Sequence, residues 1–188
     1  MGDKMNVYDF DKTIYVNDST LDFYKYCIKK YPLMLIEVFP LIITGVLYLL
    51  KIMSKTQAKE VFYRFLRYVP HIDDEVVRFW DLHSDGIKRW YLEQQQDTDV
   101  IISASPEFLL RPICNRLGIK HLIASRINKH TGKTTGENCY GAEKVVRFKD
   151  SDCYGEVDKF YSDSYSDDPL AKLATTSFLV NGDELLPW

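Results

Sequence analysis

Two aspartates follow the first apolar run of the chain. The run 5–10 favours a buried β-strand, and Asp9 and Asp11 flank Phe10 at its end. Alternate side chains of an extended backbone point to the same side, so the two carboxylates converge on one point. Close carboxylates raise each other's pKa unless a cation compensates them, and Mg²⁺ is satisfied by one or two carboxylates and water. The pattern therefore indicates either a magnesium site or, alternatively, a helix cap or surface loop.

A second acidic group follows a later strand-like run, 157–161. If both runs belong to one parallel sheet, their carboxyl ends open into the same crevice, where ligands bind in such folds. We therefore expect the later carboxylates to meet the first pair and to hold a metal ion with them. The later carboxylates are those of Asp163, Asp167 and Asp168.

Two further positions could bind an anion. Ser103 ends the apolar run 100–102 and offers a hydroxyl and backbone N–H groups just before a helix, of which Ser105 is the expected N-cap. Lys144, close to Gly141 at a predicted helix start, either supplies positive charge to the same anion or is a solvated surface lysine. A metal, an anion seat and an ammonium together indicate phosphoryl chemistry.

The elements that must position these residues divide the chain into two kinds of sequence. Residues 20–90 have helical spacing broken at prolines and glycine, whereas the flanking parts alternate between strand and helix patterns. Such alternation indicates a parallel sheet with helices on its faces. We predict an α/β fold: a Rossmann-like parallel-sheet core formed by residues 1–15 and 95–188, with an inserted all-helical cap, residues 16–94.

The order of these motifs resembles a known family. The segment Asp9-Phe10-Asp11-Lys12-Thr13 is followed by Ser103 after an apolar strand, Lys144 in GAEK and the acidic stretch YSDSYSDDP, residues 161–169. This order resembles the four motifs of the haloacid dehalogenase-like hydrolases. The helical insert between the first two motifs makes the chain similar to the phosphoserine-phosphatase-like branch.

The resemblance implies a role for each matching residue. Asp9 would attack phosphorus and become an aspartyl-phosphate, while Asp11 would protonate the leaving oxygen and later activate water. Thr13 would hold the loop beside the substrate, Ser103 and the backbone of Ala104 would bind the phosphoryl oxygens, and Lys144 would neutralise charge on the phosphate and on Asp9. The implied Mg²⁺ ligands are Asp9, Asp11 through its backbone carbonyl, Asp163 and Asp167, with Asp168 a helix cap.

The sequence departs from the family pattern at two places. Lys12 stands where many relatives have Gly, and Ser162-Asp163-Ser164 replaces the common Gly-Asp-Gly. Neither departure removes a reacting group. We expect the first to change the conformation or edge charge of the loop and the second to narrow the room near the metal.

An apolar segment, residues 33–53, interrupts the predicted cap. Its first 18 residues contain one charge, Glu37, and lysines flank the segment. Three alternatives are open: buried cap helices, a peripheral membrane contact and a spanning helix. A single crossing is excluded because both ends of the insert must return to one sheet. This placement of an apolar stretch is similar to that in bacterial phosphatidylglycerophosphate phosphatases, which act on a lipid phosphomonoester.

Composition bounds the partners and the compartment. The net charge of −3 provides no basic field for nucleic acid, and four scattered cysteines are typical of a reduced, cytoplasmic protein. The N-terminal sequence MGDKMNVYDF lacks the features of a secretory or transit peptide. We therefore expect a cytoplasmic Mg²⁺-dependent phosphatase, in contact with the inner face of the membrane if the apolar segment binds lipid. Its substrate would be a small-molecule or lipid phosphomonoester. The alternatives are a non-catalytic membrane-associated module that binds a phosphorylated ligand, and a phosphotransferase.

Overall fold

A six-stranded sheet forms the centre of the molecule. The computed structural model describes residues 4–188, in which the strand order is β3-β2-β1-β4-β5-β6 and only β6 runs antiparallel to its neighbour. The prediction of a Rossmann-like α/β fold is confirmed. The strands are β1 (Met5–Tyr8), β2 (Val100–Pro106), β3 (His121–Ser125), β4 (Val157–Ser162), β5 (Ala174–Asn181) and β6 (Glu184–Pro187).

Helices fill the connections between the strands. The chain between β1 and β2 contains five α-helices and three 3₁₀ helices, and we call residues 19–94 the helical insert. The α-helices are α1 (Ser19–Lys30), α2 (Val38–Leu49), α3 (Lys55–Phe62), α4 (Ile72–His83), α5 (Arg89–Gln94), α6 (Glu107–Arg116), α7 (Ala142–Lys149) and α8 (Asp168–Ala171). The 3₁₀ helices are Pro32–Glu37, Tyr63–Tyr68, Ser84–Gly86 and Tyr165–Asp167.

The position of β1 determines where the polar residues meet. This short apolar strand lies between β2 and β4, and all three are parallel. Tyr8 is in register with Ile101 on one side and Tyr161 on the other. The chain therefore leaves β1, β2 and β4 at the same edge of the sheet, beside the point where the strand order reverses.

One apolar cluster joins the helical insert to the sheet. Its fully buried members include Phe79 and Trp80 of α4 together with Tyr8 and Ile101 of the sheet. The indole N–H of Trp80 also donates to the carbonyl of Leu109 in α6 at 2.6 Å. The insert therefore packs directly on the sheet. The division into a core and a separate cap, residues 16–94, stays a prediction. Residues 1–3, which begin the N-terminal sequence assessed above for a targeting peptide, lie outside the described residues.

Two local expectations differ from the structure. Ser105 is not the N-cap of α6: the N-cap is Pro106, and the hydroxyl of Ser105 donates to the carboxylate of Asp11. The hydroxyl that the local pattern assigned to the start of the helix therefore donates to a carboxylate far away in the sequence. The strand β6 was not predicted because its two leucines, flanked by Glu184 and Pro187, form a run too short to stand out.

The apolar segment forms a 3₁₀ helix that continues into α2. Within residues 4–188 one helical stretch, Pro32–Leu49, is long and apolar enough to cross a membrane: it has 18 residues, a mean hydropathy of 2.0 and 11% of its residues buried. Most of its large side chains face outward, including Phe39 and Leu49 at 72% and 80% exposure. The alternative of a buried helix pair is therefore wrong for this stretch.

Candidate active site

A polar cleft lies at the edge of the sheet where β1, β2 and β4 end. Its volume is about 180 Å³, and it adjoins the N-terminal end of α7. It combines side chains from the two acidic groups with the predicted anion seat. The lining residues are Asp9, Asp11, Lys12, Asp18, Ser103, Ala104, Tyr140, Lys144, Asp163, Ser164, Ser166 and Asp167.

A buried lysine bridges two buried aspartates in this cleft. The ammonium of Lys144 donates to Oδ1 of Asp9 at 2.8 Å and to Oδ2 of Asp167 at 2.6 Å. Asp9 is 8% exposed, and the other two residues are 2% exposed. Gly141, the N-cap of α7, has φ +57°, a conformation that glycine adopts without strain, and it starts the helix that carries Lys144.

The triad of Asp9, Lys144 and Asp167 has two acidic groups and only one basic group. Burial raises the pKa of Asp9, and Asp167 adds to the rise that Lys144 partly offsets. Burial alone would lower the pKa of Lys144, but the two carboxylates together raise it, so the ammonium stays charged. Since two acids share one base away from water, the site favours a further cation or a proton.

Asp11 is held in a different way from Asp9. Its Oδ1 accepts the backbone N–H of Ser19 at 2.7 Å, and its Oδ2 accepts the hydroxyl of Ser105. Burial, reinforced by Asp18, raises the pKa of Asp11 to about 6, and the two hydrogen bonds limit that rise. A carboxyl group with this pKa can both give and take a proton near neutral pH.

The loop after β1 is tied to two distant parts of the chain. The hydroxyl of Thr13 accepts the backbone N–H of Asp163 at 3.0 Å, and the backbone carbonyl of Lys12 accepts the ammonium of Lys88 at 2.6 Å. Lys12 has φ +57°, the left-handed conformation that favours glycine. Thr13 is fully buried and is not among the residues that line the cleft in the described part of the chain. Its hydroxyl contacts the loop that carries Asp163.

The predicted anion seat in the second half of β2 consists of a hydroxyl and backbone groups. Ser103 is 1% exposed, and its Oγ accepts the backbone N–H of Ser105 at 3.1 Å. Ala104 lines the cleft, while its carbonyl accepts the ammonium of Lys59 at 3.1 Å. This carbonyl is therefore turned toward Lys59, which lies in the helical insert.

The carboxylates suit a hard divalent cation. Asp9, Asp163 and Asp167 line the cleft with Asp11, and Oδ1 of Asp167 is buried with no hydrogen-bond partner within residues 4–188. In the same range no three acidic, histidine or cysteine side chains form a ready-made metal cage. Mg²⁺ takes one or two carboxylates and keeps several waters, so it does not need such a cage. The donor set therefore fits Mg²⁺.

Several lining residues were not predicted from the sequence. Tyr140, Ser164 and Ser166 reach the cleft from the loops before α7 and after β4, and Asp18 reaches it from the N-cap of α1. Their proximity in sequence to predicted residues is the signal that could have found them. Asp168, by contrast, lies outside the cleft lining, where its carboxylate pairs with Lys172.

Comparison of the sequence with models of known protein families identifies the family of this chain. A sequence model of the haloacid dehalogenase-like hydrolases matches residues 7–172. The chain belongs to this family. The resemblance carried by the four motifs is thereby confirmed, and the match extends from β1 to the residue after α8.

Individual proteins also resemble the chain in sequence or in fold. A histidinol-phosphatase of Neisseria meningitidis is 27% identical over 117 residues, which cover 54% of this chain and 52% of that relative. The match thus spans about half the length of that curated relative. A protein of unknown function from Bordetella pertussis has a TM-score of 0.74 at 20% identity, covering 94% of this chain and 89% of its own.

A third protein is a phosphoserine phosphatase captured as an analogue of its phospho-aspartyl intermediate. Its TM-score is 0.56 at 16% identity, with 95% of this chain and 87% of that chain covered. At this level of identity the likeness concerns the fold, which is again a parallel-sheet core with helices around it.

Proposed function

We propose that this hydrolase is a Mg²⁺-dependent phosphatase that acts on a phosphomonoester through an aspartyl-phosphate. The observation that carries the proposal is the pairing of Asp9 with Lys144 at 2.8 Å, at the carboxyl end of β1 and beside Asp11. A buried carboxylate next to a fixed ammonium can act as a nucleophile toward an anion, because the ammonium attracts the phosphate and offsets its charge. The histidinol-phosphatase and phosphoserine phosphatase among the similar proteins support the same reaction class.

Each step can be assigned to a residue of the cleft. A carboxylate oxygen of Asp9 forms a bond to phosphorus while the ester P–O bond breaks, and the proton of Asp11 goes to the leaving alcohol oxygen. In the second step Asp11 takes a proton from water, whose oxygen attacks phosphorus. The bond from phosphorus to Asp9 then breaks, which releases inorganic phosphate and restores both carboxyl groups.

The phosphoryl oxygens need donors throughout this sequence. We propose that the hydroxyl of Ser103 and the backbone N–H groups after it bind them, with the ammonium of Lys144 beside Asp9. Thr13 would support the site by holding the loop of Asp163. The proposed Mg²⁺ ligands are Asp9, Asp163 and Asp167 with the backbone carbonyl of Asp11. When bound, the ion would neutralise charge on the carboxylates and on the phosphoryl group.

We also propose a location for the protein and a role for its apolar segment. We place the protein in the cytoplasm, in keeping with four free cysteines, and in peripheral contact with the inner face of the membrane through residues 33–53. The outward-facing apolar side chains of α2 support that contact.

The proposal is tested by phosphate release from a panel of phosphomonoesters, with and without Mg²⁺. The panel contains p-nitrophenyl phosphate, phosphoserine, histidinol phosphate and a lipid phosphate. We expect Mg²⁺-dependent release by the wild type and a loss of about 1000-fold or more in Asp9→Asn, since the amide is a poor nucleophile. Asp158→Asn, a carboxylate change outside the cleft, is the matched control.

Other outcomes of this assay would replace the proposal. Phosphate binding without release from any substrate would identify a non-catalytic module. Transfer of the phosphoryl group to an added alcohol, with little free phosphate, would identify a phosphotransferase. Full activity in Asp9→Asn would refute the assignment of Asp9 as the nucleophile.

A further inference from the structure

The outward side of α2 has the reverse of the polarity that a water-exposed helix shows. Its large side chains there are all apolar or aromatic, and we call five of them the α2 surface: Phe39, Ile42, Ile43, Val46 and Leu49. The polar residue of the helix, Thr44, is instead turned inward and is 5% exposed. An unpartnered helix of this composition requires an apolar environment.

The charged side chain of the preceding 3₁₀ helix, that of Glu37, also contacts the protein. The carboxylate of Glu37 accepts the hydroxyl of Tyr68, within the helical insert, at 3.3 Å. The outward side of Pro32–Leu49 therefore has no charged rim of the kind that borders a protein interface, whereas exposed lysines stand at its two ends, Lys29 before it and Lys51 after it. Apolar side chains flanked by lysines match a bilayer with anionic headgroups better than a protein partner.

The fold allows this segment to lie on a bilayer but not to cross one. Both of its neighbours, α1 and α3, belong to the helical insert, and α2 packs beside α3 while the 3₁₀ helix Pro32–Glu37 packs beside α1. The two ends of the segment thus return to the same body. A helix held in this way can enter only the headgroup and upper acyl region, about 5–10 Å deep.

An apolar groove adjoins both α2 and the cleft. It has a volume of about 380 Å³, and its lining includes Leu21, Phe62, Tyr63, Ala58 and, from α2, Tyr48; the polar residues Thr20, Lys59 and Ser105 also line it. Its inner end is formed by Asp11, Asp18 and Ala104, which also line the cleft. A molecule lying in both would place a phosphate beside Asp9 and its remaining part against apolar side chains.

We propose that the substrate is a membrane-borne phosphomonoester whose leaving alcohol carries an aliphatic chain. The α2 surface rests in the membrane interface, the groove receives the chain, and the cleft receives the phosphate. This inference rests on the proposed phosphatase function and adds the substrate class to it. It also accounts for the position of the groove beside Asp11, since the leaving oxygen, to which the chain is attached, takes the proton of Asp11.

The first test measures how activity depends on the length of the substrate's alkyl chain in the absence of a membrane. Hydrolysis of n-alkyl phosphates below their micelle concentrations should rise with length, by about two- to fourfold in kcat/KM per methylene until the groove is filled. Leu21→Asn, which makes the groove wall polar at a 47% exposed position, should flatten this rise. The same change at Leu82, which is 70% exposed on α4 and outside the groove, should leave the rise unchanged. A kcat/KM independent of chain length would overturn the substrate class.

The second test measures membrane binding without catalysis. In EDTA the wild type should sediment with vesicles of phosphatidylcholine and phosphatidylglycerol, and less with phosphatidylcholine alone. The double variant Phe39→Glu/Leu49→Glu should reduce the bound fraction about tenfold or more, since two apolar contacts become charges. Its ratio of activity on vesicle-embedded lipid phosphate to activity on p-nitrophenyl phosphate should fall in parallel. Leu82→Glu is the control for adding a charge at an exposed leucine.

The outcomes separate this inference from the proposed function. Turnover of soluble phosphates without vesicle binding would overturn the inference and keep the phosphatase. Vesicle binding without turnover of any phosphomonoester would refute the proposed function and, with it, the substrate class. If the wild type is a dimer that the double variant dissociates, and vesicles do not bind, then a second copy covers the α2 surface and the inference is wrong.

Discussion

The hydroxyl of Thr13 accepts the backbone N–H of Asp163 at 3.0 Å, although the two residues are 150 positions apart in the chain. This bond joins the loop after β1, which carries Asp9 and Asp11, to the loop after β4, which carries the later carboxylates. Both partners lie in loops that follow adjacent parallel strands, so the bond limits the distance between the two acidic loops.

Thr13→Val tests this role, because valine keeps the shape and removes the acceptor. The backbone N–H of Asp163 would lose its partner, which costs about 1–3 kcal/mol in the free energy of unfolding. We also expect weaker Mg²⁺ activation, since the loop carrying Asp163 is no longer held. Urea unfolding and a Mg²⁺ titration of activity measure the two effects. Thr13→Ser should restore both, and a valine variant indistinguishable from wild type in both would contradict the assignment.

Lys144→Met should destabilise the protein more than any loss of packing explains. The change leaves the carboxylates of Asp9 and Asp167 buried without their cation, and removal of one partner from such a group costs about 3–5 kcal/mol. Without the ammonium the pKa of Asp9, which burial already raises, rises further in the folded protein. The deficit in the free energy of unfolding should therefore shrink as the pH falls and Asp9 takes up a proton.

A second substitution separates charge from packing in this triad. Lys144→Met/Asp167→Asn has one buried carboxylate fewer, so it should recover part of the lost stability at pH 8. Activity should not return, because the ammonium beside Asp9 is still missing. Urea unfolding at pH 8 and pH 5 measures the stabilities, and phosphate release measures the activity. A double variant no more stable than Lys144→Met would mean that the cost lies in packing.

The sequence allowed prediction of residues whose signals are local. Asp9 and Ser103 end apolar runs, and Lys144 follows Gly141 at a helix start, so each could be placed at the correct edge of the sheet without knowledge of its neighbours. The same holds for the alternation that predicted the parallel sheet. In each case the backbone pattern and the proposed function of the side chain point to the same position.

Pairings across long distances in the chain could not be predicted. The hydroxyl of Ser105 fits an N-cap by its local pattern, and only the folded chain brings it to Asp11, 94 residues earlier. Lys88 looked like any lysine of a helical stretch, yet its ammonium is buried against the carbonyl of Lys12. A local pattern cannot choose between two hydrogen-bond partners when one of them is supplied by a distant part of the chain.

Ser105→Ala should move the pH dependence of the first chemical step. Burial raises the pKa of Asp11 to about 6, and the hydrogen bond from Ser105 stabilises the carboxylate form and so keeps the pKa from rising further. Removal of the hydroxyl therefore raises the pKa. Since Asp11 must be protonated to act as the acid, the rate of aspartyl-phosphate formation should decline at a higher pH than in the wild type.

Rapid-quench measurement of the first turnover, at saturating Mg²⁺, gives this pH profile. Thr20→Val is an informative comparison, because the Thr20 hydroxyl lies 2.9 Å from the Ser105 hydroxyl and does not bond to Asp11. We expect its profile to move less than that of Ser105→Ala. A profile of Ser105→Ala shifted to lower pH would contradict the assignment of Asp11 as the acid.

Asp99, which lies outside the cleft, makes the free energy of unfolding depend on pH. It is 1% exposed immediately before β2, where Oδ2 accepts the backbone N–H of Gln96 at 2.9 Å and Oδ1 has no hydrogen-bond partner within residues 4–188. Burial raises its pKa from 3.8 to about 6. Because the folded pKa lies above the unfolded one, the carboxyl is tolerated below pH 4, and stability falls as the pH rises through 6.

Asp99→Asn should therefore stabilise the protein at pH 8, by about 1–3 kcal/mol in the free energy of unfolding, since roughly one and a third kcal/mol corresponds to each pKa unit. Asparagine keeps an oxygen to accept the N–H of Gln96 and brings no charge. At pH 4, where the aspartate is itself largely protonated, the gain should disappear. Asp97→Asn, a substitution at a neighbouring aspartate whose side chain is 91% exposed, should change stability little at either pH. A gain of equal size at pH 4 and pH 8 would show that the benefit does not come from the buried charge.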